Sequence, residues 1–216
     1  MTYSICARER DDGAGGYRFG VAAATRLPAV GAVCPHVSDA GAVAVAGVTD
    51  ADVGARLLDA VTDGHRVDDA ITAAAAETGA TRRQIHGVGA ESTGVHTGDD
   101  CRPVAAHHVG DGYTVAGTSM ADDEVLDALT RGYRENERDA PLARRLLTAL
   151  AAGERAGGDG RDLPVGSAAV TVRTNRASEP LYHDLRVDAS ETPVADLRET
   201  YRRAKRGYEA AVERYR

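Results

Sequence analysis

The chain has 216 residues, of which 43% are apolar but only 4% aromatic, with no Trp and a single Phe. That length suits one domain with a sizeable core, and the core must be built from Ala, Val, Leu and Ile, which favours close sheet and helix packing over a large aromatic ligand pocket. A formal charge of −7 argues against nucleic acid, whose phosphates need a clustered basic face.

Thr2–Arg8 alternates as a strand, Asp11–Gly16 is a glycine-rich turn, and Tyr17–Ala24 is the returning strand, so the chain opens on a hairpin. Ala29–Val37 and Gly41–Thr49 read as two more strands joined around Ser38-Asp39, and four strands in succession argue against a Rossmann pattern. Two helices follow. Asp52 caps the first, with Val53, Leu57, Leu58 and Val61 on one face, and Val67–Thr78 forms the second. Gln84–Ala90, Gly94–Thr97, Arg102–Val109 and Gly112–Gly117 read as strands between short turns. Ala121–Glu137 and Pro141–Ala156 are helices, and Gly157-Gly158-Asp159-Gly160 stops the second. Val165–Arg173 and Leu181–Val187 are the last strands, and Thr192 caps a terminal helix from Pro193. Strand block, helix pair, strand block, helix pair, strands and helix suggest an α+β domain over 1–216, two sheets between helix layers, with no internal repeat and no dividing linker.

The basic run Arg202-Arg203-Ala204-Lys205-Arg206 is interleaved with Glu199, Glu209 and Glu213, which reads as a solvated helix face with paired charges rather than a polyanion site. Lys205 is the only lysine against 25 arginines, and 21 of the 33 acidic residues are Asp, a balance that fits a salt-adapted surface or a GC-rich genome equally. Cys6, Cys34 and Cys101 form neither a CxxC metal pattern nor a disulfide framework, and Cys6 and Cys34 lie in apolar runs as small core residues. With no export segment and no long apolar span, the chain reads as cytoplasmic and free of the membrane.

Thr2 carries the sharpest chemical reading. Methionine is usually trimmed before a small second residue, and an N-terminal threonine holds a nucleophilic hydroxyl and an α-amine base in one residue. That amine has an ordinary pKa near ~8, so a useful fraction is neutral at physiological pH. Such a site needs a nearby cation and oxyanion donors. Arg26, behind Thr25 at the end of the second strand, supplies the charge if it is not merely a surface arginine. His107 and His108 are adjacent, so on a strand their rings point to opposite faces and cannot share a metal ion. The remaining histidines show no ligand spacing, so neither a metal nor a cofactor is expected. His107 reads as a polar group at a site wall or as a structural histidine. Asp159 and Arg161 either orient polar groups at a site mouth or belong only to the stop signal of the preceding helix.

These residues carry a resemblance. The opening Thr2-Tyr3-Ser4-Ile5-Cys6-Ala7-Arg8 resembles the T-F-S-I-V-A-R start of domain-of-unknown-function family 1028, which is placed among the N-terminal-nucleophile (Ntn) hydrolases. Gly20 through Gly31 matches the family's G-V-A-V-A-S-R-F-L-A-V-G block. Thr97-Gly98, Cys101, Pro103, His107, Gly110 and Gly112 match its histidine block, as do Gly157-Gly158-Asp159-Gly160-Arg161 and Asp184-Leu185-Arg186-Val187-Asp188 the two later ones. Four of the family's polar or aromatic groups are replaced, at Val104, Ala46, Thr118 and in the segment Val165–Ala169. The resemblance implies a four-layer αββα sandwich whose first strand carries its N-terminal residue into the cleft between sheets. It implies an amidohydrolase acting on a small amide or peptide. Thr2, Thr25 and Arg26 would be its catalytic residues, and His107, Asp159 and Arg161 its substrate contacts. The replaced residues favour the alternative, a non-catalytic binding or assembly subunit on the same fold. Whether the chain forms a homo-oligomer is left open.

Overall fold

The structure, a computed structural model, describes residues 2–11, 15–48, 51–136, 140–174 and 180–215. Among them are ten strands and five α-helices. The strands form two sheets. One has six strands in the order β10 (Asp184–Ser190), β9 (Gly166–Arg173), β2 (Tyr17–Thr25), β1 (Thr2–Arg10), β8 (Tyr113–Thr118), β7 (Ala106–Gly110). The other has four, β3 (Pro35–Val37), β4 (Gly41–Gly47), β5 (Arg83–Gly89), β6 (Thr93–Thr97). Every neighbouring pair is antiparallel, so the chain is a mixed α+β protein.

Alternation along β1 sets the packing. Tyr3, Ile5 and Ala7 share a buried cluster with Leu126 and Leu129 of α3 (Glu124–Arg134) and Leu142, Leu146 and Leu150 of α4 (Leu142–Arg155). Residues two apart on a strand point the same way, so Thr2, Ser4 and Cys6 face the other side. There Cys6 packs with Phe19, Val21, Ala42, Ala44 and Val88, drawn from both sheets. The far side of the small sheet, Val43, Val45 and Ile85, packs on Val53 and Leu57 of α1 (Ala51–Thr62) and Ile71 of α2 (Val67–Ala75). Helix α5 (Pro193–Tyr215) adds Val194, Leu197 and Tyr201 to the first cluster. Alanine is frequent where the sheets meet, as the composition requires: Ala23, Ala42, Ala44 and Ala169 are all buried there.

A buried histidine bridges the two sheets. His86 of β5 contacts Ser4 Oγ through Nε2 at 2.8 Å and Thr114 Oγ1 through Nδ1 at 2.9 Å. A neutral imidazole, one nitrogen donating and one accepting, satisfies both hydroxyls. Burial pushes the His86 pKa down to about 3, with His107 adding to the effect.

The sequence reading differs from the structure in places with identifiable causes. Ala29–Val37 is no continuous strand: Ala29 adopts a left-handed φ of 62°, a 3₁₀ turn covers Val30–Ala32, and only Pro35–Val37 pairs. Ser167 pins this bend, its Oγ donating to Leu27 O at 2.6 Å and accepting from Val30 N–H at 2.8 Å. Expected from Arg102, β7 starts at Ala106, after Val104 at a φ of 56°. Leu181–His183 is a 3₁₀ turn before β10. Asp52 lies inside the first turn of α1 rather than capping it. Parts of the first turn (12–14) and Glu137 lie outside the described residues. Among the described residues no helix is long and apolar enough to cross a membrane.

Candidate active site

The start of β1 is where the polar residues collect. β8 places Thr118 directly across from Thr2, and β9 places Ser167 across from Thr25. The β1–β2 register, Tyr3 opposite Ala24, carries on to set Thr2 beside Thr25. Four hydroxyl residues, Thr118, Thr2, Thr25 and Ser167, therefore stand in one row across four adjacent strands, on the face turned to the second sheet. All four are buried. Thr118 Oγ1 has no hydrogen-bond partner among the described residues, an unusual condition for a buried hydroxyl.

The glycine loop after α4 closes this end of the sheet. Gly160 N–H donates to Ser119 O at 2.9 Å and Ala121 N–H donates to Gly158 O at 3.0 Å. Between them Met120 and Asp159 form an antiparallel bridge. The Met120 N–H turns the opposite way, to Val104 O at 3.3 Å. Residues 158–160 thus run along the edge of β8 that β1 uses, just beyond Thr2. Ser119, with a left-handed φ of 54°, ends the regular alternation of β8 at Thr118, so Asp159 lies beyond the start of β1 without continuing its register. Its other side meets β2: Asp159 Oδ2 accepts from Arg26 N–H at 2.8 Å and from Thr25 Oγ1 at 3.1 Å.

Arg161 completes the cluster. Its Nε donates to Asp159 Oδ1 at 2.8 Å, its backbone N–H reaches the same oxygen at 3.2 Å, and one terminal nitrogen bonds both Asp159 Oδ2 and Thr25 Oγ1. Burial works to raise the Asp159 pKa, but hydrogen bonds from Arg161 and the Arg26 amide outweigh it and hold the carboxyl below its ordinary range. Two loop glycines make this path open to the chain. Gly157 and Gly158 have φ of 110° and 55°, in the left-handed region glycine enters without penalty. A Cβ on Gly158 would sit 3.1 Å from the Tyr3 ring.

Below the cluster lies a small cavity of about 50 Å³ lined by Tyr3, Ala24, Thr25, Arg26, Glu154 and Asp159. It holds a few waters at most. Burial pushes the Glu154 carboxyl up, opposed chiefly by Arg26.

The structure therefore brings Thr25, Asp159 and Arg161 into direct contact, with Arg26 joined through its backbone N–H. The Arg26 guanidinium turns outward and donates to Glu191 O at 3.1 Å. His107 lies elsewhere. It sits on edge strand β7, opposite Ala116 in the row of Ser4, two strands and about 10 Å across the sheet from β1. Its Nδ1 is 2.9 Å from Thr97 Oγ1 of β6, whereas His108 faces the other way, 3.7 Å from Asp127 of α3.

Sequence reasoning missed Ser4, His86 and Gln84 as polar groups between the sheets. Gln84 Nε2 lies 3.0 Å from Gly117 O, 3.0 Å from Ala106 O and 2.9 Å from Thr97 Oγ1, and Gln84 pairs with Ala46. The one signal in the sequence was parity, since Ser4 follows Thr2 and His86 follows Gln84 at a spacing of two. Ser4 and His86 have the contact distance of a nucleophile and its base. Both are about 99% buried and His86 is too weak a base at a pKa of about 3, so the pair serves the fold.

A family model described as a family of unknown function, DUF1028, matches residues 2–197. The chain belongs to that family. The crystal structure of protein SPO2555 from Silicibacter pomeroyi, a DUF1028 protein, is similar at 27% identity with a TM-score of 0.81, over 94% of this chain and 88% of that one. No curated protein matches the chain. The DUF1028 match begins at Thr2 and includes the whole hydroxyl row and the Asp159–Arg161 loop.

Proposed function

We propose that this DUF1028 protein is an Ntn-type amidohydrolase, built as a four-layer αββα sandwich, with Thr2 as its nucleophile once Met1 is removed. The placement of Thr2 carries the reading: it starts β1 on the face between the sheets, with Thr118 and Thr25 as strand neighbours and the Asp159 loop close by against Thr25.

In this mechanism the Thr2 α-amine takes the proton of Thr2 Oγ1 as that oxygen attacks the carbonyl of a small amide or peptide. The tetrahedral oxyanion is held by backbone N–H groups and by Thr25, whose hydroxyl is already oriented by Asp159 and Arg161. Collapse expels the amine leaving group with the proton from the Thr2 amine, and water then releases the acyl group from Oγ1. Asp159 would by itself favour the charged amine, the wrong state for a base. Saturation of its carboxylate by Arg161, Thr25 and the Arg26 amide offsets that pull. Thr118 Oγ1, buried and without a hydrogen-bond partner among the described residues, would accept from the Thr2 amine freed by removal of Met1 and fix its direction. Arg26 supplies long-range positive charge, and His107 lies too far across the sheet for direct contact and serves at most the outer wall.

The exposure of Thr2, 5%, favours a second reading. At that exposure no substrate reaches Thr2 without movement of the covering residues, and a binding or assembly subunit would need no such movement. Intact-protein mass spectrometry combined with N-terminal sequencing separates the two. The hydrolase reading requires Thr2 with a free amine as the first residue of the purified protein. Retained Met1 or a blocked Thr2 refutes it.

A further inference from the structure

Helix α5 holds a surface that the candidate site does not use. Its buried residues are Pro193, Val194, Leu197 and Tyr201. Beyond Tyr201 the helix runs on to Tyr215, roughly 20 Å at 1.5 Å per residue, and the family match has already ended at Leu197. Along this distal half lies a groove of about 610 Å³ with Tyr182, Tyr208 and Val212 as its apolar lining and Glu209 and Glu213 as its charged lining. Tyr182 packs edge-on against Tyr201 and Tyr208, which fixes the groove wall. Next to it Leu181 is 78% exposed.

Charge along the same side of α5 is segregated. Arg198, Arg202, Lys205, Glu209 and Glu213 follow at spacings of three and four, so they form one stripe, basic first and acidic last. Within the helix Lys205 lies 3.7 Å from Glu209, and Arg202 shares Glu199 with Arg203. A copy of the same helix laid antiparallel reverses the order. Glu209 then faces Lys205 of the partner subunit, and Glu213 faces Arg202 of the partner subunit. A parallel copy sets like charges together.

We propose that the distal half of α5 is a self-association surface, on which two copies of this chain pair antiparallel about a two-fold axis near Tyr208. The apolar groove supplies the buried contact and the charge stripe sets direction and register. Polyanions and anionic membranes are disfavoured occupants, since the groove is flanked by Glu209 and Glu213.

Sedimentation equilibrium of the full chain tests this. The expected mass is about twice 22.6 kDa. Tyr208→Glu gives the monomer, and circular dichroism melting confirms that this surface variant stays folded. Glu213→Arg and Arg202→Glu each raise the dissociation constant by about tenfold, and the double variant returns it towards the parent value. A parent that stays monomeric to roughly 100 μM overturns the proposal and leaves the groove to a foreign basic helix. A dimer indifferent to Tyr208→Glu, or a double variant no tighter than either single one, overturns it as well.

Discussion

Asp159 ties the end of β2 to the segment after β8, accepting from the Thr25 hydroxyl at 3.1 Å and bridging to Met120. This arrangement depends on the charge of Asp159, because its carboxylate collects donors from Thr25, Arg26 and Arg161. Asp159→Asn removes the negative charge that the Arg161 guanidinium, only 18% exposed, is paired with. A loss of about 3 kcal/mol is expected, the usual consequence of breaking one side of a buried pair. Urea unfolding measures it, and a loss below about 0.5 kcal/mol means the cluster does not hold the loop.

Gly158→Ala tests the same loop through its backbone. The substitution places a side chain at a φ of 55° and 3.1 Å from the Tyr3 ring. Strain at such a position costs about 1–2 kcal/mol, and because Ala121 N–H donates to Gly158 O and Gly160 N–H to Ser119 O, hydrogen exchange at the Ala121 and Gly160 amides should accelerate. Unchanged exchange would show that 158–160 does not close the sheet end.

The His86 bridge makes stability depend on pH in an unusual window. Its pKa in the folded protein is about 3 against 6.5 unfolded. Between these values the unfolded chain binds the extra proton. The stabilisation is complete above pH 6.5 and is lost as pH falls towards 3, by on the order of 1 kcal/mol per pH unit. Burial lowers the pKa of His36 and His107 too, so they contribute with the same sign. Chemical denaturation at pH 7 and pH 5 should show the loss in the parent and a smaller one in His86→Gln. Equal losses in both proteins would remove His86 as the cause.

Thr118→Val separates stability from chemistry. Since Thr118 Oγ1 is buried without a partner among the described residues, exchanging it for a methyl leaves stability equal or higher, within about 1 kcal/mol. If this hydroxyl orients the Thr2 amine, the same variant reacts at Thr2 about tenfold more slowly or worse. Reaction at the parent rate would return Thr118 to a purely structural role.

Much of this was legible in the sequence because the evidence for it is local. The opening hairpin and the helices at Ala121–Glu137 and Pro141–Ala156 follow from periodicity and turn residues within a short stretch, and β1, β2, α3 and α4 lie there. Thr25 and Asp159, 134 residues apart, were each singled out, but nothing local joins them. The loop Gly157–Gly160 reads as a helix stop, and its second role needs the β8 edge that only the folded sheet supplies. Parity puts Ser4 and His86 each on one face of its strand, but nothing local joins them, since they lie 82 residues apart on different sheets. The strand expected over Ala29–Val37 failed because Ser167, far along the chain, holds the bend at Leu27 and Val30.

The central claim is that Thr2 is a nucleophile, and covalent labelling tests it most directly. The purified protein is treated with a β-lactone probe and the adduct located by mass on the N-terminal peptide. The account predicts one adduct on Thr2 in the parent and in Thr2→Ser, and none in Thr2→Ala, which should fold with a loss of at most about 1 kcal/mol. Equal labelling of the parent and Thr2→Ala, or a parent with a free Thr2 amine that never labels, would contradict it.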